Sequence, residues 1–152
     1  MTNFPFLHMH HIQKKDTDTM GGAKKAIRLL KTLKADSEKS DSITLNSYDI
    51  ASLVWHMDQS ILSVYQWEEL SLLANLQNAL SNHIYNKEAL MRLRTPDNTR
   101  CIINSEDKFN ALVILFLELI TLNEAVGREI VGNRILDDNS NLLKAIKDSY
   151  IA

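Results

Sequence analysis

The stretch GGAKKAIRLLKTLKAD, residues 21–36, is the strongest guide to the fold. Two glycines end a polar loop, and a helix is predicted over about 23–34 because its apolar residues recur at helical spacing: Ala26, Leu29, Leu30 and Leu33. The opposite side carries Lys24, Arg28 and Lys31 at positions i, i+4 and i+7. The segment therefore predicts a helix with one buried face and one cationic stripe.

A second helix is predicted in LNSYDIASLVWHM, residues 45–57, after the polar, serine-rich loop of residues 36–44. Asn46 or Ser47 can cap its first turn, and Tyr48 follows directly. Further helices are predicted over about 67–93 and 106–131, with a weaker one near 139–149. Residues 94–104 contain the turn signal Pro-Asp-Asn.

Length and composition agree with this pattern. The chain has 152 residues, 45% of them apolar, which suits one compact domain. Four glycines and two prolines leave little material for the turns of an all-β fold. We predict a mainly α fold: a single helical domain of about five helices over 23–152, preceded by a short extended segment and loop over 1–22.

The extended segment is predicted in NFPFLHMHHI, residues 3–12. Pro5 disfavours helix before it, and His8 and His10 would share one face of a strand. Their two imidazoles without a nearby carboxylate or thiolate would make a weak metal site, so ordinary packing is preferred and no metal ligand is assigned. An unpaired strand would need partners from another lobe or molecule.

Charge is unevenly distributed along the chain. The net charge is −2, yet residues 14–34 hold seven basic and two acidic residues, a local charge of +5. This segment is a candidate phosphate site, whereas the acidic remainder argues against a large nucleic-acid footprint. One cysteine, no secretory signal pattern and no long apolar run favour a cytoplasmic protein without a membrane span.

Candidate nucleotide-binding residues follow from these two helices. Polyphosphate requires several cations from a rigid element, together with hydroxyl or backbone donors at a helix start. Lys24, Arg28 and Lys31 supply the cations, Ser47 the hydroxyl, and Tyr48 a ring that can stack on a base. The simpler alternatives are a solvated basic face and an ordinary helix cap.

The segments at 21–36 and 45–57 resemble the oligoadenylate-synthase and cyclic-GMP–AMP-synthase branch of the polymerase-β-like nucleotidyltransferases, which includes bacterial cyclic-oligonucleotide synthases. The resemblance implies that Lys31 and Ser47 contact the triphosphate and that Tyr48 stacks on the base. LRTPDNTRCIINSEDKFNAL, residues 93–112, looks like the family's Pro-Asp turn before a long final helix. That would place Pro96, Asp97 and Arg100 near the edge of the same lobe.

The family's catalytic lobe carries a Gly-Ser turn and paired aspartates that hold two Mg²⁺ ions. Only thirty residues precede Lys31, and Asp16-Thr17-Asp18 lacks the framing turn and strand, so it is interpreted as a solvated loop. The resemblance thus implies a helical lobe that binds a nucleoside triphosphate, with Mg²⁺ and catalysis supplied by a separate lobe. No catalytic residue is assigned, and activity of this chain alone is not expected.

The alternative is a non-catalytic helical interaction or regulatory module that docks on another protein through residues 4–12. The base, the acceptor, the product and the oligomeric state stay open.

Overall fold

The computed structural model describes residues 5–64 and 69–134. Seven α-helices occur in this part of the chain: α1 (Pro5–Asp18), α2 (Gly22–Asp36), α3 (Ser47–Trp55), α4 (Gln59–Leu62), α5 (Glu69–Tyr85), α6 (Lys87–Leu90) and α7 (Glu106–Arg134). A 3₁₀ turn, Ser40–Ser42, lies between α2 and α3. Among the described residues no strand forms beyond an isolated antiparallel bridge between Arg94 and Cys101. The predicted mainly helical fold is confirmed.

The predicted N-terminal extended segment is wrong, because residues 5–18 form α1. Pro5 is the first described residue of this helix. The least exposed side chains of residues 5–19 fall at positions i, i+3, i+4, i+7, i+8 and i+11 of a helix: His8, His11, Ile12, Lys15, Asp16 and Thr19. This helical period defines the packed face, and the apparent alternation of apolar and histidine residues does not.

A tight corner joins α1 to α2. Met20 and Gly21 both adopt positive φ angles, 56° and 87°, a conformation that glycine accepts without strain. Gly22 lies against α4 so closely that a Cβ atom there would come within 1.7 Å of the Leu62 carbonyl oxygen. Asp16, near the end of α1, accepts the backbone N–H of Lys24 at 2.9 Å and so satisfies a donor in the first turn of α2.

The α3 helix starts with a capping box. The Asn46 side chain accepts the Asp49 backbone N–H at 2.8 Å, and the Asp49 carboxylate accepts the Asn46 N–H at 3.1 Å. This confirms the predicted helix start. The cap fixes the position of Ser47 and Tyr48, the first two residues of α3, against the neighbouring helix α2.

The hydrophobic core lies between α2, α3, α5 and α7. Its largest fully buried side chains include Leu30, Leu53, Leu76, Leu80 and Leu112. The helix predicted over 67–93 is interrupted, since α5 ends at Tyr85 and the four-residue α6 follows. The helix predicted over 106–131 is observed as α7, whereas the helix predicted near 139–149 lies outside the described residues.

One segment of α7, Glu106–Glu129, has the length and mean hydropathy, 1.7, of a membrane-crossing helix. This is weak evidence, because the core helix of a soluble protein has the same properties. Here α7 packs on α5 and α2 and buries one face in the core, through Ala111, Leu112, Leu115 and Leu119. Of this apolar segment, 28% is buried in the described part of the protein.

Candidate functional site

An open groove of about 900 Å³ runs between α1, α2 and the start of α3. Its walls combine polar and apolar side chains: Phe6, His8, Met9, His10, Ile12 and Gln13 from α1, Lys24, Ile27, Arg28 and Lys31 from α2, and Ser47, Tyr48 and Ala51 from α3. None of these described lining residues carries a carboxylate. The groove therefore presents positive charge without a compensating acid, which suits an anionic ligand.

All five residues predicted to bind a nucleotide line this groove. Lys24, Arg28 and Lys31 are exposed along α2, and Ser47 and Tyr48 begin α3 on the facing side. Lys24 donates to the Gln13 side chain at 2.6 Å, which connects α2 with α1. Within the described part of the chain, Arg28 and Lys31 have no hydrogen-bonding or ion-pair partner.

Ser47, in the first turn of α3, lines the groove. In the capping box the Asn46 side chain accepts the N–H of Asp49, so the N–H groups of the two preceding residues, Ser47 and Tyr48, take no part in it. Among the described residues, no acceptor contacts the Ser47 hydroxyl or the backbone N–H groups of Ser47 and Tyr48. Free donors at a helix start, beside aligned cations, form a suitable environment for phosphate oxygens.

Three neighbouring side chains contact Tyr48. Its hydroxyl donates to the Asp97 carboxylate, and its ring stacks on His8 with centroids 3.8 Å apart and planes 18° from parallel. The Arg100 guanidinium carbon lies 5.6 Å from the ring centre. Burial, together with the hydrogen bond to Asp97, raises the pKa of Tyr48 to about 12.

His8 is buried, with 9% of its surface exposed. Burial lowers the pKa of its imidazole below the usual value, an effect that the nearby Asp97 carboxylate only partly opposes. Its Nδ1 atom is buried and has no hydrogen-bonding partner among the described residues. A buried imidazole with an unsatisfied nitrogen therefore covers Tyr48 on the groove side.

A network of charged side chains lies behind Tyr48. Asp49 is fully buried and pairs with Arg100 and with Lys108, whose Nζ lies 3.0 Å from the carboxylate. Asp97, buried in the turn between α6 and α7, accepts hydrogen bonds from the Thr95 and Thr99 hydroxyls at 2.6 and 2.9 Å. These carboxylates are occupied by internal partners and fix the position of the tyrosine.

The described residues do not fit a Mg²⁺ site. No group of three or more histidines, cysteines or acids in this part of the chain could hold a metal ion. Asp16 caps α2, and Asp18 pairs with Lys14 at 3.2 Å. The Asp-x-Asp spacing therefore lies on helix α1, where both carboxylates already have partners, and not in the predicted solvated loop.

Two members of the network, Asp49 and Lys108, were not assigned to the site from the sequence, whereas Asp97 and Arg100 were expected only near the edge of the same lobe. The ion-pair partners of Asp49 lie 51 and 59 residues away from it in the chain. The position of His8 on Tyr48 was missed because its segment was predicted to be extended. A helical pattern through His8, Ile12 and Lys15 was the available signal.

Comparison with known proteins identifies the family of this domain. A family model described as the cGAS/DncV-like nucleotidyltransferase C-terminal helical domain matches residues 10–114, which include α2, α3 and all five predicted contacts. The chain belongs to this family. The lobe predicted from Lys31, Ser47 and Tyr48 is therefore confirmed as a family assignment.

Two similar proteins agree with this family assignment. The chain is 40% identical over 131 residues to the cyclic dinucleotide synthase CdnE of Yersinia aleksiciae, a match that covers 86% of this chain and 35% of that protein. It is also similar to the structure of a STING-associated CdnE c-di-GMP synthase from Capnocytophaga granulosa, with a TM-score of 0.70 and 29% identity. That match covers 80% of this chain and 39% of the other. The chain thus spans between a third and two fifths of these relatives.

Proposed function

We propose that this helical lobe holds a nucleoside triphosphate for a nucleotidyltransferase whose catalytic carboxylates lie on a separate lobe. The observation that carries the proposal is the convergence of Lys24, Arg28, Lys31, Ser47 and Tyr48 on one groove that lacks acidic lining residues. The two relatives are named as synthases of cyclic dinucleotides, so cyclic dinucleotide synthesis is the activity proposed for the complete protein.

Each part of the groove has a distinct role in this proposal. Arg28 and Lys31 bind the phosphate oxygens, because both are exposed toward the groove and have no described internal partner. Ser47 and the free N–H groups of the first turn of α3 complete the phosphate contacts. Tyr48 provides the surface for the base. Any Mg²⁺ that accompanies the triphosphate takes its protein ligands from the other lobe.

Calorimetric titration of ATP and GTP into the 152-residue chain, with and without Mg²⁺, tests this function. Lys31→Ala is expected to weaken binding roughly tenfold, about 1.4 kcal/mol, because it removes one charge-assisted contact with phosphate. The matched control is Lys39→Ala, which removes an equally exposed lysine outside the groove. Equal affinity for wild type and Lys31→Ala, or no binding by the wild-type chain, would overturn the proposal.

A non-catalytic docking module is a second candidate, supported by exposed apolar side chains on α1. Phe6, Leu7 and Met9 expose 87%, 42% and 64% of their surfaces. Such a cluster is typical of a contact surface, although the strand pairing first predicted here is ruled out by the helix. A chain that bound another protein through this surface but bound no nucleotide would favour this alternative.

A further inference from the structure

We propose that His8 occupies the base position of the groove in the unliganded protein and that an incoming nucleobase displaces it from Tyr48. The inference rests on the function proposed above. It starts from the geometry of the stack, since rings 3.8 Å apart and 18° from parallel leave no space for a base between them. A base can reach this face of Tyr48 only after the imidazole has moved.

Arg100 also lies over the Tyr48 ring, with its guanidinium carbon 5.6 Å from the ring centre, but it cannot move as readily as His8. It is held by its ion pair with Asp49 and by hydrogen bonds to two carbonyl oxygens, those of Cys101 at 3.1 Å and Ile102 at 3.4 Å. Displacing Arg100 would leave Asp49 short of one partner in a fully buried position. The side of Tyr48 that faces the groove is therefore the one available to a ligand.

His8 is held much less firmly than Arg100. No hydrogen bond to its ring is found in the described residues, and its Nδ1 is buried without a partner. The penalty for an unsatisfied buried nitrogen offsets part of the stabilisation that the ring gains from stacking and burial. Rotation into the adjacent groove of about 900 Å³ would let the nitrogen bond to water. Displacement of His8 therefore costs less than displacement of Arg100.

The decisive experiment combines NMR of the histidine ring protons with nucleotide titration of the same 152-residue chain. In the free protein, the His8 ring protons are expected upfield of those of His10, because the Tyr48 ring current acts on them. Saturating GTP or ATP should move the His8 signals toward ordinary histidine positions. His8→Ala should bind nucleotide about two- to fivefold more tightly, because the competing ring is gone.

His11→Ala is the matched control, since His11 lies on the same helix but packs on Trp55 and is not among the residues that line the groove. Its affinity should equal that of wild type. Nucleotide binding that leaves the His8 signals in place, or that weakens in His8→Ala, overturns this inference alone. If neither wild type nor His8→Ala binds nucleotide, the proposed function fails and the displacement proposal fails with it.

Discussion

The two sides of Tyr48 differ sharply in how their charges are arranged. Behind the ring, the buried carboxylates of Asp49 and Asp97 accept hydrogen bonds or ion pairs from Arg100, Lys108 and neighbouring hydroxyls. In front of it, Arg28 and Lys31 extend into an open groove without described partners. A saturated network maintains the structure, whereas unpaired cations beside a cavity are available to a ligand.

Among the substitutions that distinguish the two sides of Tyr48, Asp49→Asn is expected to have the largest effect on stability. The amide keeps the shape of the side chain but leaves Arg100 and Lys108 without their buried anion, and we expect a loss of about 3–5 kcal/mol in unfolding free energy. Urea unfolding followed by circular dichroism measures this loss. Asp41→Asn, which changes an exposed acid in the 3₁₀ turn, should stay within about 0.5 kcal/mol of wild type. A comparable loss in both variants would contradict the assignment of the network.

A smaller effect is expected from the ionisation of Tyr48 at alkaline pH. Its pKa is raised from 10.0 to about 12 in the folded protein, so the folded state keeps a proton that the unfolded state releases. The contribution to stability is complete below pH 10 and is lost as the pH rises through about 12. Urea unfolding at pH 9 and pH 11 should show this decline in wild type.

The variants Tyr48→Phe and Tyr85→Phe identify the source of that decline. Tyr48→Phe should lose less stability than wild type between pH 9 and pH 11, because the shifted hydroxyl is absent. Tyr85→Phe removes a hydroxyl from a largely exposed ring and should retain the wild-type decline. A decline of equal size in Tyr48→Phe would show that other groups cause it.

The smallest effect is expected on the groove side. Arg28→Ala and Lys31→Ala should change the unfolding free energy by no more than about 0.5 kcal/mol, because both side chains are exposed and lack described partners. Their urea midpoints should match that of wild type. A loss above about 1 kcal/mol in either variant would mean that these cations stabilise the fold and would remove the contrast with Asp49.

The helices at 22–36 and 47–55 could be predicted from sequence because their signals are local. Apolar spacing fixes the buried face of α2, and the Asn46 cap marks the start of α3. The convergence of Lys31, Ser47 and Tyr48 followed from the resemblance to a known lobe, and the geometry agrees with it.

The remaining features depend on tertiary contacts. FLHMHHI, residues 6–12, is too short to distinguish a two-residue period from a helical one, and its packing against α2 and α3 selects the helix. The ion-pair partners of Asp49 lie more than 50 residues away, so no local pattern could indicate them.

The two ends of α1 are attached by different kinds of contact, and this has a consequence for local opening. Near the corner, Asp16 and Thr19 accept backbone N–H groups of α2 at 2.9 and 3.0 Å, so separation there requires several hydrogen bonds to break together. Around His8 the helix is attached mainly through its rings. The first turns of α1 can therefore fray while the rest of the domain stays folded. The rate at which His8 separates from Tyr48 would then not depend on global unfolding.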